Sequence, residues 1–279
     1  MLNLWTWNVN SIKNKVHHVN QLLIKHDIDI LLLTETKLTI KNQSNIVFHN
    51  DYKWVFNSNK TSYYHGIAFI YKKDLDIKVL NTELPQTTNV KYEGNNVYIK
   101  KYIDQTDYHL KAHQTEGRLL TLLYKDIVIV GTYVPNSGVD RQEKLKRLAY
   151  RTLKWDPDMV AYLLSLQYEK VIWLGDLNVA IEDHDTLNTK VIMACLCKEE
   201  RDNIKTFIQN NHWIDTWHEL NKEVKKCKDR ATWGIHTKFP LRLDYILCSP
   251  HLKDNLVSSI YDISFNKSDH IPMGTQFKL

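Results

Sequence analysis

The chain has 279 residues, ample for a full hydrophobic core, and its 43% hydrophobic and 25% charged residues are ordinary for a soluble globular protein. No low-complexity tract, secretory signal or apolar run of ~18 residues is present, so we expect a soluble, intracellular protein, nuclear or cytoplasmic, with no membrane partner. The formal net charge of +5 allows a polyanionic partner without requiring one.

Short apolar runs alternate with amphipathic stretches along the chain, and no Gly/Pro/Ser-rich linker divides it. The apolar runs predict strands at Leu2–Val9, Ile28–Thr34, Gly66–Tyr71, Ile77–Leu80, Asn96–Ile103, Arg118–Tyr124, Ile127–Tyr133, Val171–Leu174, Leu243–Cys248 and Val257–Ile263. The amphipathic stretches predict helices at Lys13–His26, Arg141–Lys154, Asp158–Leu166, Glu199–Asn210 and Trp213–Leu220.

The composition of the strands indicates how they pair. Several are apolar almost throughout, such as IDILLL and VIWLG, which is typical of strands buried on both faces. Others are separated only by short polar turns, such as Tyr124–Lys125–Asp126, which favours antiparallel hairpins. We therefore predict mixed sheets covered by helices, in a single domain spanning residues 1–279.

Polar side chains stand at the ends of several predicted strands and near the C-terminus. They are Asn8, Glu35, Asp176, Asn178, Asp244, Asp269 and His270. A strand end fixes the direction of a side chain while leaving it accessible, and active sites recur there. Any one of these residues is also explained as an ordinary turn residue, but the whole set is less easily explained in that way.

The residue types in this set indicate a class of chemistry. Oxygen-rich groups of Asp, Glu and Asn suit Mg²⁺ or Mn²⁺ better than zinc. With an adjacent His, they equip a site for phosphoryl transfer, because the metal neutralises phosphate charge while a base positions the nucleophile. No P-loop, GxSxG or GxGxxG motif is present. The four cysteines match no usual zinc spacing and are expected to be reduced.

At these residues the chain resembles the exonuclease III-type abasic-site endonucleases of the endonuclease/exonuclease/phosphatase superfamily. The matching segments follow the family's order: WNVNS (7–11), LLLTETK (31–37), HGIAFIY (65–71), EGR (116–118), TYVPNSG (132–138), RLAYRTLKWD (147–156), WLGDLNVA (173–180), RLDYILCS (242–249) and SDHIPM (268–273). GDxN and SDH mark the superfamily, whereas ETK, EGR and YVPN point to the DNA-repair branch. The resemblance implies an α/β fold, a four-layered sandwich in which two mixed β-sheets pack face to face with helices on the outside.

The resemblance also implies a metal site and a nucleophile site. Asn8 and Glu35 match the amide and carboxylate of the metal site, and Asp269 is expected near the same ion. That ion is expected to be Mg²⁺, for which Mn²⁺ can substitute. Asp176 and Asn178 match the pair that orients or deprotonates the attacking water and helps to hold the phosphate.

Four further residues match three groups that contact the phosphate and one that orients the catalytic histidine. Asp244 matches the carboxylate that orients the catalytic histidine, here His270. Tyr133 and Asn136 match the phosphate-contacting residues of the YVPN segment. The implied reaction is hydrolysis 5′ to an abasic site in double-stranded DNA, leaving a 3′-hydroxyl, with a possible 3′→5′ exonuclease or 3′-end cleaning activity. The enzyme is expected to act as a monomer.

The chain departs from the family pattern at several positions. Asn10 and Ser11 stand where relatives often carry Asp-Gly or Asn-Gly. The loop between Trp233 and Leu241 is short, and these two residues are our candidates for the wall of the abasic pocket. Val139 stands where some relatives place a basic residue.

Two alternative functions remain open. One is a nonspecific or retroelement-type DNA endonuclease of the same superfamily, which would cut damaged and undamaged duplexes equally. The other is a catalytically silent DNA-binding relative, whose hallmark would be the loss of a site residue, and no such loss is found.

One basic stretch also has two interpretations. Lys144, Arg147, Arg151 and Lys154 recur at helical spacing. They form either a phosphate-binding face or the solvated surface of an amphipathic helix.

Overall fold

The computed structural model describes residues 1–60, 62–86, 94, 99, 115–138, 147–187, 193–224 and 227–279. Within these ranges the strands form two mixed sheets of six strands each. None of the helices in the same ranges is long and apolar enough to cross a membrane.

The strands are numbered in chain order. They are β1 (Leu2–Asn8), β2 (Ile30–Thr34), β3 (Tyr52–Asn57), β4 (Ile67–Lys72), β5 (Ile77–Asn81), β6 (Leu119–Tyr124), β7 (Ile127–Tyr133), β8 (Lys170–Asp176), β9 (Ile214–Asp215), β10 (Asp244–Cys248), β11 (Leu256–Tyr261) and β12 (Met273–Phe277). The first sheet has the order β11-β12-β1-β2-β4-β3, and the second has the order β5-β6-β7-β8-β10-β9. Each sheet has one parallel pair, β1 with β2 and β7 with β8, among antiparallel neighbours.

The helices are named in the same way. They are α1 (Val16–Lys25), α2 (Leu148–Tyr150), α3 (Asp156–Ser165), α4 (Lys198–Asn210) and α5 (Thr216–Leu220). A π-helical segment, Arg151–Trp155, joins α2 directly to α3. Short 3-10 helices lie at Ile40–Asn45, Asp183–Asp185, Cys227–Asp229 and Pro250–Asn255.

The two sheets pack face to face through side chains at alternate strand positions. Leu4 and Leu32 of the first sheet belong to the same buried cluster as Ile129 and Leu174 of the second. Because successive side chains of a strand point to opposite faces, the residues between these positions face outwards. Strands buried on both faces therefore read as continuous apolar runs, as β7 does, where all seven residues are buried.

Helices cover the outer faces of both sheets. Trp5 of β1 packs in one cluster with Leu22 of α1. On the other side, Trp173 of β8 packs with Met159 of α3 and Phe207 of α4. The layers are thus helix, sheet, sheet and helix, which confirms the predicted four-layered sandwich with mixed sheets.

Most predicted strands are confirmed, with ends displaced by no more than two residues. Three strands were not predicted: β3, β9 and β12. Of the predicted strand Asn96–Ile103, only Ile99 lies within the described residues. The prediction of a helix at Trp213–Leu220 is wrong in its first part, because Ile214–Asp215 pairs with β10 and the helix begins at Thr216.

For Arg151 and Lys154, the prediction for the basic stretch is wrong in both its forms. Arg151 is fully buried and Lys154 is 6% exposed, so neither lies on a solvated or phosphate-binding face. Arg147 is half-buried and lies 3.1 Å from Glu116. Lys144 and residues 141–146 as a whole lie outside the described residues, as does Val139. The described part of the predicted helix Arg141–Lys154 continues without a break into α3.

Candidate active site

The alternation of side chains brings polar groups together at one end of the layer between the sheets. In β1, β7, β8 and β10, the positions that supply this layer end in a polar residue. The residues are Asn8, Tyr133, Asp176 and Asp244. Tyr133 and Asp244 are both paired with Asp176 in the second sheet, so three of the four side chains are adjacent by register alone.

Asp176 ends β8 and is almost completely buried, with 1% of its surface exposed. The preceding Gly175 has a φ of +134°, and a Cβ there would lie 1.9 Å from the carbonyl oxygen of Thr132, so only glycine fits. The carboxylate is held on both oxygens. Oδ2 accepts a hydrogen bond from the amide of Asn8 at 2.8 Å, and Oδ1 accepts one from the backbone N–H of Asn178 at 2.9 Å. Burial raises the pKa of Asp176, although these donors favour the charged form.

His270 lies between two carboxylates. Its Nδ1 donates to Oδ2 of Asp244 at 2.7 Å, and its Nε2 lies 3.8 Å from Oδ2 of Asp176. Burial opposes a charged imidazole, but Asp244 and Asp176 together raise the pKa of His270. The backbone N–H of Asp244 donates to the hydroxyl of Thr232 at 3.0 Å, and the indole of Trp7 donates to the carbonyl of His270 at 3.1 Å. Both members of the pair are therefore anchored.

Asp176, Asp244 and His270 are also the three residues whose positions alone indicate a candidate metal site. One ligand atom each of Asp176, Asp244 and His270 lies within 4.8 Å of the others. The three side chains are buried, and as a group they can bind a metal ion. Within the part of the chain that the structure describes, it is the only such group of three His, Cys, Asp or Glu residues.

Asn178 and Asn136 come from two different loops and contact each other. The amide nitrogen of Asn136 donates to Oδ1 of Asn178 at 2.8 Å, and the amide of Asn178 donates to the carbonyl of Val134 at 2.9 Å. Asn178 has a φ of +48°, a left-handed conformation that is uncommon outside glycine. Cys195, which was not predicted as a site residue, accepts a contact from the amide nitrogen of Asn136 at 3.4 Å. Burial raises the pKa of this thiol well above its ordinary value.

Glu35 directly follows β2 and connects the two sheets. Its Oε1 accepts from the amide of Asn8 at 3.0 Å and from the hydroxyl of Tyr133 at 2.8 Å. Its Oε2 lies 2.8 Å from Nζ of Lys37. Burial alone would raise the pKa of Glu35, but the hydrogen bonds from Asn8, Lys37 and Tyr133 lower it. Glu35 is thus charged at neutral pH.

Asp269 is linked to Glu35 through Asn10 and Lys37. The amide of Asn10 donates to Oδ1 of Asp269 at 3.1 Å and accepts a hydrogen bond from Lys37. The indole of Trp233 donates to Oδ2 of Asp269 at 3.2 Å. Burial would raise the pKa of Asp269, but His270 and these two donors lower it.

Trp233 and Leu241, the candidates for the pocket wall, lie beside His270. Trp233 forms isolated antiparallel bridges with both Leu241 and His270. The side chain of Leu241 is 3% exposed and packs in a core cluster with Leu148 and Leu243. Trp233 is half-buried and reaches Asp269, so it is the member of the pair that faces the polar cluster.

Contacts therefore connect the predicted site residues at one end of the sandwich. Hydrogen bonds join Asn136, Asn178, Asp176, Asn8, Glu35 and Tyr133 in sequence, His270 and Asp244 border Asp176, and Asp269 with Trp233 lies beyond Asn10. The roles assigned to these residues remain predictions.

The sequence interpretation missed Arg118, which packs against the ring of Tyr133 and binds its backbone. Its guanidinium lies 4.7 Å from the centroid of the Tyr133 ring and donates to the Tyr133 carbonyl at 2.9 Å. Glu116 is its ion-pair partner. Burial would raise the pKa of Glu116, but Arg118 and Arg147 lower it to about 2. Both Glu116 and Arg118 belong to the EGR motif, so the motif was the signal that could have identified them.

Comparison with known proteins finds one matching family profile and, among the relatives, two related nucleases. The profile of the "Endonuclease/Exonuclease/phosphatase family" matches residues 5–270. A DNA-(apurinic or apyrimidinic site) endonuclease from Dictyostelium discoideum is 29% identical over 277 residues, covering 96% of this chain and 68% of the relative. An exodeoxyribonuclease from Bacillus subtilis is 25% identical over 282 residues, covering 98% of both chains.

The fold is likewise found among solved structures. The crystal structure of an AP endonuclease from Leishmania major aligns with a TM-score of 0.77, covering 100% of this chain and 88% of that one at 23% identity. At that level of identity the likeness concerns the fold, and it agrees with the two mixed six-stranded sheets described above.

Proposed function

The chain belongs to the endonuclease/exonuclease/phosphatase family, and we propose that it hydrolyses the phosphodiester bond on the 5′ side of an abasic site in duplex DNA. The products are a 3′-hydroxyl and a 5′-deoxyribose phosphate. The observation that carries this proposal is the contact of Asp176 with the His270–Asp244 pair on one side and with the backbone N–H of Asn178 on the other. This group of residues combines a carboxylate that can orient a water molecule with N–H donors that can bind a phosphate.

In this proposal Asp176 acts on the attacking water. Its carboxylate is fixed by hydrogen bonds from Asn8 and Asn178 on its two oxygens. A carboxylate held in this way can orient a water molecule and accept its proton. Removing such a base typically lowers the rate by ~10²–10⁴-fold.

His270, Asn178, Asn136 and Tyr133 bind the phosphate. Because Nδ1 of His270 is engaged by Asp244, its Nε2 is left to donate to a nonbridging phosphate oxygen. Asn178 supplies a further N–H group, since its amide nitrogen carries two and only one of them is used by Val134. Asn136 holds the side chain of Asn178 and would reach the phosphate by giving up its weaker contact with Cys195. Donors fixed before the substrate arrives stabilise the charge that develops on the phosphate.

Glu35, Asn8 and Asp269 would hold a Mg²⁺ ion, for which Mn²⁺ can substitute. The donor set fits a hard cation, because all three residues offer oxygen and both acids have a lowered pKa that keeps them charged. Glu35 is already paired with a cation, the ammonium of Lys37. When bound, such an ion neutralises phosphate charge and lowers the pKa of water.

We assign the Asp176–Asp244–His270 group to water and phosphate rather than to the metal. A histidine must be neutral to ligate a metal ion. The flanking carboxylates, which outweigh burial, raise the pKa of His270 and favour its charged form. The protonated imidazole suits a phosphate better than a metal ion.

The choice of abasic DNA follows the relatives and the pocket residues. The Dictyostelium discoideum relative is named as an endonuclease for apurinic or apyrimidinic sites. An abasic nucleotide has no base to unstack, so it is the cheapest nucleotide to turn out of a duplex. Of the two candidates for the pocket wall, Trp233, which forms a bridge with His270, would line the pocket that receives the sugar, and the buried Leu241 would support it from the core.

The test is incision of an end-labelled duplex carrying one tetrahydrofuran abasic analogue, with Mg²⁺ or with EDTA. An undamaged duplex of the same sequence is the matched control. We expect Mg²⁺-dependent cutting immediately 5′ to the analogue and no cutting of the control. Equal cutting of both duplexes would favour a nonspecific nuclease, and no cutting of either would favour a silent DNA-binding relative.

A second activity, 3′→5′ exonuclease or 3′-end cleaning, is favoured by a specific comparison. The Bacillus subtilis exodeoxyribonuclease matches over 98% of both chains, so the two share a common extent as well as a family. A duplex with a recessed 3′ end, with or without a 3′-phosphate, measures this activity. Loss of both activities in Asp176→Asn would place them in one site.

The described site residues all come from one chain, and we propose that the enzyme acts as a monomer. Size-exclusion chromatography with light scattering measures the mass directly, to be compared with 33.0 kDa for one chain. A dimer at the concentration of the incision assay would contradict this part of the proposal.

A further inference from the structure

Arg151 is a fully buried cation outside the groups that contact substrate in the proposed mechanism. It lies at the start of the π-helical segment Arg151–Trp155. π-helical turns are rare in proteins, and many of those that occur lie at functional sites. A buried guanidinium is retained only when its N–H groups find acceptors.

The acceptors of Arg151 are backbone carbonyls of the two loops that carry Asn136 and Asn178. Nη1 donates to the carbonyl of Pro135 at 2.9 Å, and Nη2 donates to the carbonyl of Leu177 at 2.8 Å. Nη1 also lies 3.4 Å from the carbonyl of Asn178. One planar group thus bridges the loop after β7 and the loop after β8.

The π-helical segment explains how Arg151 is neutralised. Its Nε donates to Oδ1 of Asp156 at 2.6 Å, across a spacing of five residues. In an α-helix of 3.6 residues per turn, positions five apart lie about 140° apart around the axis and do not meet. A turn closed between residues i and i+5 brings them onto the same face. The wide turn therefore places Asp156 against the guanidinium.

The backbone that Arg151 holds is in a conformation that needs support. Asn178 has a φ of +48°, and such residues persist only where surrounding contacts fix them. Two of the carbonyls bound by Arg151, those of Leu177 and Asn178, flank the α-carbon of Asn178. The side chain of Asn178 in turn accepts from Asn136 at 2.8 Å.

We propose that Arg151 is a positioning residue, which fixes the spacing of Asn136 and Asn178 by clamping the backbones of their two loops. This role rests on the proposed function, in which both asparagines bind the phosphate. Small displacements of such groups are costly, since misplacement by about 1 Å can lower a rate ~10²-fold.

Three variants test the proposal. Arg151→Met removes the guanidinium and keeps an apolar stem. Arg151→Lys keeps a charge, but one ammonium cannot reproduce a planar set of donors to several carbonyls. Arg230→Met is the matched control, because Arg230 is 2% exposed and its side chain contacts His218 and Trp217 instead of the two loops.

The first measurement is amide hydrogen exchange, which is independent of activity. The amides of Val134 and Leu177 donate to the carbonyls of Asp176 and Leu243, and the amide of Asn178 donates to Oδ1 of Asp176. We expect these amides to exchange at least about tenfold faster in Arg151→Met, through local opening, and at an unchanged rate in Arg230→Met. Unchanged exchange in Arg151→Met would overturn the clamp.

The second measurement separates kcat from KM for the abasic duplex. We expect Arg151→Met to lose about 10- to 100-fold in kcat with KM changed less than about threefold, because binding by the rest of the surface is retained. Arg151→Lys should regain melting temperature more completely than kcat. A kcat loss no larger than that of Arg230→Met, or full recovery of kcat in Arg151→Lys, would overturn the positioning role.

The two measurements also separate this proposal from the proposed function. If the wild-type protein does not cut the abasic duplex, the proposed function fails, and amide exchange still decides whether Arg151 clamps the loops. If the wild type cuts and the exchange of the two loops is unaltered in Arg151→Met, the clamp alone is refuted.

Discussion

The two ends of strand β2 carry acidic residues of similar chemistry in different surroundings. Asp29 precedes the strand, and its Oδ1 lies 2.8 Å from Nζ of Lys72, which lies equally close to Asp27. Glu35 follows the strand, and it too contacts a lysine, Lys37, at 2.8 Å. An acid paired with a lysine at a strand end is therefore no sign of an active site by itself.

What differs is the origin of the other partners. Those of Asp29 belong to the same sheet: the backbone of Asn3 in β1 and Lys72 at the end of β4. Glu35 binds Tyr133 of the second sheet, and through Asn8 it is linked to Asp176, also of the second sheet. The end of the sandwich at which polar groups of both sheets converge is the one that carries the candidate active site.

Among substitutions at the active-site end of the sandwich, Asp176→Asn is expected to have the largest effect on activity. The substitution keeps the shape of the side chain and removes the group that acts on water, so kcat should fall by ~10²–10⁴-fold. Because burial raises the pKa of Asp176, its charge opposes folding at neutral pH, and the melting temperature of the variant should be unchanged or higher. Single-turnover incision and thermal melting measure the two effects. A fall in melting temperature that parallels the loss of rate would assign Asp176 a structural role.

A smaller effect is expected from Glu35→Gln, with Asp29→Asn as its matched control at the other end of β2. Removing the charge of Glu35 should raise the Mg²⁺ concentration for half-maximal incision by ~10–100-fold, a range typical of groups that support a metal site. Asp29→Asn should leave this concentration unchanged. A Mg²⁺ titration of the incision rate measures both, and equal shifts in the two variants would remove the distinction drawn between the two strand ends.

The smallest effect is expected from Lys72→Met, and it concerns stability alone. Burial lowers the pKa of Lys72, but Asp27 and Asp29 outweigh it and raise the pKa above its ordinary value. A raised pKa in the folded state stabilises the fold at every pH below the unfolded value of about 10.4, and this contribution is lost only as the pH rises through the folded value. We expect a loss of about 1 kcal/mol, or ~2–4 °C in melting temperature, that is the same at pH 6 and pH 9. Unequal losses at the two pH values, or slower incision, would contradict the assignment.

The strands of the two sheets could be predicted from the sequence because strands buried on both faces consist almost entirely of apolar residues. The apolar runs of β2, β7 and β8 are visible in the sequence, and the mixed-sheet sandwich and the family resemblance are both confirmed. The strand β12 was not predicted because close packing requires a glycine within it, which weakens the sequence pattern of a strand. A Cβ at Gly274 would lie 2.1 Å from the ring of Trp5, so the strand requires a residue that disfavours strands.

The residues of the candidate site could be predicted only where they belong to a short motif whose role the family resemblance supplies. Asp176, His270 and Glu35 belong to short segments that the resemblance singled out, and the contacts now link them. Arg151 belongs to such a segment too, but its helical spacing from other basic residues indicated a surface. Its burial depends on carbonyls 16 and 26 positions away along the chain, and no local pattern reports such distant acceptors.

The division of the site between the two sheets also links catalysis to folding. Asn8 and Asp176 are separated by 168 positions, and they meet only after the sheets have docked. Tyr133, Asn136, Asp176, Asn178 and Asp244 belong to the second sheet and its loops, whereas Asn8, Glu35, Asp269 and His270 belong to the first, so neither sheet alone holds the complete site. We therefore expect nuclease activity to appear only after the two sheets have docked. The rate at which incision appears during refolding would time the docking of the two sheets without any added probe.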